Sequence, residues 1–297
     1  MKAKGKRQRA KGKNEDALRA RNISSLLIFA FCLLPFAFAD FACSRSGGVE
    51  RQIDPDTARR ELFLRGYSYK EEVFLDSAKD GDVIGVKLFL YAGMSPEVKN
   101  QDGETPLLLA ARNDHASAVR ALLERGADPN AKDKKGVTPL MRAVLKGSVE
   151  TVRTVLEFKP DLNAQKDDGS TALMYAVAEN RPEVLDMLLD AGADVNKTDT
   201  TVGTALTWAA YYDKEDLAAK LIERGADPNV QNVVGGTPLM VAATKGSASI
   251  VQLLLDHGAD AGAKDKDGKT ALKWAQDMHR ADVVKLLQGA AVAKRKG

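Results

Sequence analysis

A threonine returns at Thr105, Thr138, Thr171, Thr204, Thr237 and Thr270, and the step from each to the next is the same. Each copy sits in the same frame. A glycine precedes it, two short apolar segments follow, and a Gly-Ala-Asp-type turn closes most of the units. A fixed period of about 33 residues describes supersecondary units that bury their apolar faces only against their neighbours, so the chain is expected to stack rather than to wrap around one core.

The residues inside one period say what each unit is. Gly103, Gly136, Gly169, Gly235 and Gly268, two places before the threonine, permit a tight turn. The threonine is then placed to cap a short helix, with Pro106, Pro139 or Pro238 at its first position and Ala172, Ala205 or Ala271 in the other copies. Small residues follow (Ala110, Ala111, Ala143, Ala176, Ala209, Ala210, Ala242, Ala243) and allow close approach of neighbouring helices. A second helix is predicted from stripes at i, i+3, i+4 such as Val119, Leu122, Leu123 and Val251, Leu254, Leu255. The fold class is therefore all-α: an array of helix-turn-helix units forming a solenoid, with one capping repeat followed by six repeats of about 33 residues. Their bounds fall near 71–100, 101–133, 134–166, 167–199, 200–232, 233–265 and 266–289. The first unit aligns without a gap but has Glu72 where the others have threonine, as befits a terminal unit whose outer side meets water.

Ahead of the repeats, residues 40–70 combine linker composition with a short helix over 55–65, capped by Asp54 and stopped at Gly66. Ser68 and Glu71 have the spacing of a capping box for the next helix. Residues 1–22 form a basic run with nine Lys/Arg against Glu15 and Asp16, a local charge of +7, and are expected to be disordered. The chain as a whole is +3, so the remainder is −4 and gives little electrostatic reason to bind nucleic acid. Residues 290–297 form a second, short basic tail.

Residues 23–39 are free of charge and apolar, directly after the basic run. That order is the pattern of a signal peptide or a transmembrane segment, with the basic side retained in the cytoplasm. Three fates stay open: cleavage after Ala37-Phe38-Ala39, retention as an anchor, or lipidation at Cys43, although Asp40 is out of place for a lipidation motif. In each, the repeats lie outside the cytoplasm, giving a periplasmic or extracytoplasmic protein that contacts the membrane through 23–39 if that segment is kept. Cys32 and Cys43 are the two cysteines, so the repeats have no disulfide and no thiolate metal site. His115, His257 and His279 are scattered and are taken as helix-end polar residues.

The stretches DGETPLLLAAR with GADPNAKD, DGSTALMYAVAEN with AGADVNKTD, and GGTPLMVAATKG with HGADAGAKD resemble ankyrin repeats, here as a bacterial-type exported array over roughly 71–289. The histidine common in that family three places after the threonine is replaced by Leu108, Met141, Met174, Thr207, Met240 and Lys273. Lys159-Pro160 stands for Gly-Ala, and Val202-Gly203 shifts one turn glycine by a residue, so local irregularity is expected at both places.

The resemblance implies a protein-binding scaffold that contacts its partner through turn tips and the last residues of each inner helix, on the concave face. Those helix-end positions are Arg112-Asn113, Leu145-Lys146, Ala178-Glu179, Tyr211-Tyr212, Thr244-Lys245 and Asp277-Met278. Tyr211 and Tyr212 stand out as large amphipathic anchors. The turn tips Thr200, Thr201, Val202 and Val233, Val234 are uncharged where other repeats have Lys134-Lys135 or Asp167-Asp168, and Arg112, Asn113, Lys146 and Lys245 complete the candidate site. Trp208, Tyr175 and Trp274 are expected to be half-buried. No nucleophile with a base and no phosphate loop is present, and the aspartates recur with the repeat as turn formers. The reading is thus a monomeric, non-catalytic scaffold for a protein partner, without cofactor, metal or small-molecule substrate. Two other classes fit the same residues: a secreted effector acting on host proteins, and a cytoplasmic regulatory module whose basic tail binds nucleic acid or lipid.

Overall fold

The computed structural model describes residues 53–296; the basic run, the apolar stretch 23–39, Cys32 and Cys43 lie outside the described residues. Fifteen helices are found among the described residues. A lone helix α1 (Pro55–Leu64) is followed by seven antiparallel pairs: α2 (Glu71–Asp80) with α3 (Val83–Tyr91), α4 (Pro106–Arg112) with α5 (Ala116–Glu124), and α6 (Pro139–Lys146) with α7 (Val149–Glu157). Then come α8 (Ala172–Ala178) with α9 (Pro182–Asp190), α10 (Ala205–Tyr211) with α11 (Glu215–Glu223), α12 (Pro238–Lys245) with α13 (Ala248–Asp256), and α14 (Ala271–Asp277) with α15 (Ala281–Lys296). Among the described residues no helix is long and apolar enough to cross a membrane.

The inner helices begin where their threonines place them. The Oγ1 of Thr105, Thr138, Thr171, Thr204, Thr237 and Thr270 accepts from the backbone N–H three residues on at 3.3–3.5 Å. In the fourth full repeat Thr207, one of the residues replacing the family histidine, also receives the N–H of Thr204 at 3.3 Å, so the capping is reciprocal. The expected capping box at Ser68 and Glu71 does not form. Lys70, not Ser68, is the N-cap of α2, and its donor-only ammonium makes no side-chain cap bond, while the Lys70 N–H donates to the Ser68 carbonyl.

The alanines of the inner helices are buried, apart from Ala178 at the end of α8, and so are Val119, Leu122, Val152, Val155, Leu185, Leu188, Leu221, Val251 and Leu254 of the outer helices. Burial of each aliphatic side chain contributes about 1.5–3 kcal/mol, but only once the next unit covers it. Inner helices pack on inner helices in chain order, and outer on outer up to α9 and again from α11, while α9 and α11 are joined by the ion pairs Lys220–Asp186 and Arg224–Asp190, the latter at 2.7 Å. Helix α1 belongs to this stack. It packs on α3 as an additional outer helix and places Ala58 and Leu62 in the common core.

Two hydrogen-bond ladders fix the register of one unit on the next. The Oδ1 atoms of Asn130, Asn163, Asn196 and Asn229 each accept the backbone N–H of the aspartate 31 residues on, at 2.7–2.8 Å. Between turn tips, Lys134 N–H donates to Asp102, Asp167 to Lys135, Thr200 to Asp168 and Lys266 to Val234.

The two irregularities resolve differently. Lys159 takes φ 51°, the left-handed conformation of the glycines it replaces, and Pro160 is buried, so the backbone path is kept. At Val202-Gly203 the path does change: Gly203 takes φ 131°, and the side-chain amide of Asn232 supplies the rung by donating to the Val202 carbonyl at 2.9 Å. The fold continues through both.

Candidate protein-binding site

Every predicted helix-end residue lies at the end of its inner helix, but their surroundings separate them into two groups. In the fourth full repeat Tyr211 ends α10 and Tyr212 caps it, 42% and 41% exposed. Their rings meet edge to face, 5.1 Å between centroids at 83°. Tyr212 also lies 5.7 Å from the ring of Trp208, and the ammonium of Lys245 sits 3.7 Å from the Tyr211 ring centroid. The pair is therefore partly exposed yet braced by its neighbours, an arrangement that leaves little side-chain entropy to lose on contact.

Trp208 is half-buried as expected, and what holds it is the turn before its own helix. Its indole Nε1 donates to Asp199 Oδ2 at 2.8 Å. The buried Asp199 carboxylate also accepts from the backbone N–H groups of Thr201 (3.0 Å) and Gly203 (2.7 Å) and from Thr201 Oγ1 (2.9 Å). One carboxylate thus ties the turn tip to the aromatic cluster. Thr200 donates through Oγ1 to the Asp168 carbonyl at 2.8 Å, so the hydroxyls of both threonines already have partners. Val233 and Val234 are exposed on the next turn, which reaches the turn of Val202 through Asn232. Tyr211, Tyr212, Lys245 and Trp208 therefore form one cluster, joined through Asp199 to the uncharged turn tips.

Arg112, Asn113 and Lys146 lie earlier in the stack, in the first and second full repeats. Arg112 is engaged within the chain: its Nη1 donates to Glu104 Oε1 at 2.6 Å. Glu104, only 2% exposed, also receives Arg142 Nη2 at 3.3 Å and Asn100 Nδ2 at 3.0 Å, and Arg142 donates at 2.7 Å to Asp133. Asn113 Nδ2 donates to the Leu109 carbonyl of its own helix at 2.8 Å. Lys146 is exposed.

The carboxylates that organise both groups, Asp133, Asp199 and Asp265, escape notice when read only as turn formers. They precede their threonines by five residues, and each binds the side chain nine residues on: Arg142, Trp208 and Trp274 (2.7 Å for the last). Aligning the two columns of the repeat exposes the pairing. At Asp265, burial pushes the carboxyl up, but bonds from the Lys269 N–H, the Trp274 indole and the Asp267 N–H outweigh it and leave it below the ordinary value. Two of the histidines are helix-end residues that bond to backbone: His115 Nε2 to the Lys79 carbonyl at 3.0 Å and His257 Nδ1 to the Leu253 carbonyl at 2.8 Å.

The family described as "Ankyrin repeats (3 copies)" matches residues 74–166, 125–199 and 203–296, most of the chain. The chain belongs to the ankyrin repeat family. Over 92 residues it is 36% identical to a protein of Treponema pallidum (strain Nichols) whose name describes it as ankyrin repeat-containing; the match spans 31% of each chain. Among solved structures, the array resembles the human ASB11 ankyrin repeat domain, with a TM-score of 0.62 and 27% identity over 72% of this chain and 96% of that one. It also resembles the ankyrin repeat domain of Bcl-3, a member of the IkappaB protein family, with a TM-score of 0.65 and 29% identity over 71% of this chain and 97% of that one. Ankyrin repeat domains are generally non-catalytic and typically serve as protein-binding scaffolds, so this ankyrin array points to a protein partner.

Proposed function

We propose that this ankyrin array is a non-catalytic scaffold that holds a partner protein against the inner-helix ends and turn tips of its fourth and fifth full repeats. In this reading the array works outside the cytoplasm, exported or tethered through residues 23–39. The observation that carries the binding site is the pair Tyr211 and Tyr212, exposed yet fixed in orientation by Trp208 and Lys245. Interfaces concentrate their binding energy in such rigid aromatic anchors, which bring large contact area at low entropic cost. The neighbouring turns contribute an uncharged rim, Thr200, Thr201, Val202, Val233 and Val234, and Lys245 supplies one cation at the edge of the aromatic surface.

The test is crosslinking capture from envelope fractions with the wild-type chain beside Tyr211→Ala/Tyr212→Ala, followed by affinity measurement on the captured protein. Removal of both rings is expected to weaken binding by about 2–4 kcal/mol while the array stays folded. A partner retained at unchanged affinity by the double variant would place binding elsewhere on the array.

A further inference from the structure

The largest exposed apolar side chains among the described residues are not in the candidate site. Phe63 and Leu64, at the end of α1, are 79% and 67% exposed. Ala58 and Leu62 bury one side of that helix against the array, so Arg60, Phe63 and Leu64 share the opposite side. Its remaining charges close on one another: Arg59 pairs with Asp56 at 3.6 Å, Arg65 with Glu61 at 2.7 Å, and Asp54 caps the helix. The outward surface therefore presents an aromatic ring, a leucine and an arginine, with Asp56 exposed on the same side at the start of the helix and Arg59 folded 5.4 Å from the ring of Tyr69 at its margin.

Thirteen residues, 40–52, separate the apolar stretch 23–39 from the first described residue. Fully extended they reach at most about 45 Å, so a chain held in a bilayer by 23–39 has the start of α1, the array's first helix, within reach of the lipid surface. A tether this short gives any weak lipid affinity of α1 a high effective concentration of membrane. Phe and Leu beside Arg suit the interfacial zone, where apolar side chains enter the acyl boundary and a guanidinium meets phosphate.

We infer that α1 docks on the membrane surface through Phe63 and Leu64, with Arg60 on lipid phosphate, so that the array is anchored at two points. The inference rests on membrane retention of residues 23–39. It is independent of the tyrosine site.

The test uses the full chain reconstituted in vesicles of phosphatidylethanolamine and phosphatidylglycerol, first floated to establish retention. Phe63→Trp and, as a second reporter on the same face, Leu64→Trp are then compared with wild type in vesicles with and without brominated acyl chains. The added emission is expected to lose more than about half its intensity to the brominated lipid, while Trp208 and Trp274 keep theirs. If the chain floats but neither new tryptophan is quenched, docking is refuted and retention stands. If the new emission is already blue-shifted without lipid and resists quenching, another part of the chain or a second copy covers α1, and docking is again refuted. Equal quenching of Trp208 and Trp274 removes the assignment to α1. A chain that fails to float takes retention and docking down together, leaving the Tyr211→Ala/Tyr212→Ala experiment to decide the scaffold reading by itself.

Discussion

The first two full repeats and the fourth and fifth use the same framework to opposite ends. In both, a turn carboxylate reaches the side chain nine residues on: Asp133 takes Arg142, and Asp199 takes Trp208. In the early repeats the side chains beyond that bond are charged and satisfy each other, Arg112 and Arg142 converging on Glu104. In the later repeats they are aromatic, and the rings brace each other while Tyr211 and Tyr212 stay about two-fifths exposed. The backbone scaffold is common, and a few side-chain columns decide whether a stretch of the face is closed or available.

The largest test of that contrast is Glu104→Ala. It leaves two guanidinium groups facing each other without their shared carboxylate, beside an Arg142 Nε that is buried without a hydrogen-bond partner. Because the arginines are partly exposed, a loss of about 2–3 kcal/mol is expected in denaturant unfolding, read in the first repeats. A loss under about 0.5 kcal/mol would mean that water already screens the cluster.

Trp208→Phe addresses the other half. It keeps the ring and removes the N–H that binds Asp199, for an expected destabilisation of about 1 kcal/mol, together with weaker partner binding as Tyr212 loses its fixed support. Binding that falls while stability does not change would assign Trp208 a direct contact with the partner instead. A smaller effect is expected of Lys245→Met: about 0.5–1 kcal/mol of affinity, from an exposed cation over a ring, measured with the captured partner by titration calorimetry.

The last repeat sharpens the comparison by pH. Lys269 and Lys273 hold the Asp277 carboxyl below its ordinary value of 3.8, and Asp265 is likewise depressed. A depressed native value means that the contribution to stability is present above 3.8 and is lost as the pH falls from there through the native value. The final repeat is therefore expected to loosen on acidification below 3.8, seen as loss of the Trp274 indole proton signal as the pH falls through that range. A Trp274 signal that persists unchanged through that fall in pH would refute the acid response.

Much of this was readable from the chain. The threonine spacing predicts the caps, the alanines predict the inner helices, and the i, i+3, i+4 stripes predict the outer ones, because each is a local rule repeated. What escapes is contact between units. Arg112 reads as an exposed contact residue until Glu104 and Arg142, an arginine of the following repeat, are seen to close it. Likewise, Lys245 gives no sign in the sequence that it covers Tyr211 of the preceding repeat. Helix α1 reads as part of a linker region because it lacks the threonine signature; only the packing of Ala58 and Leu62 on α3 places it in the stack. The turn at Val202 is a middle case. The shifted glycine predicts irregularity, but the repair by Asn232 depends on where the next turn lies.

The asparagine ladder has a consequence for how such a chain can change its length. Each stitch joins an Oδ1 to the backbone N–H 31 residues later, and the residues between supply one whole unit. Excision of one complete period brings a new aspartate to the same asparagine and leaves the stitching intact. Excision of a residue more or fewer presents the wrong N–H and shifts every later apolar stripe off its face. Gain and loss of material by recombination is thus quantised in whole repeats, while substitution within a repeat is free to rewrite the surface.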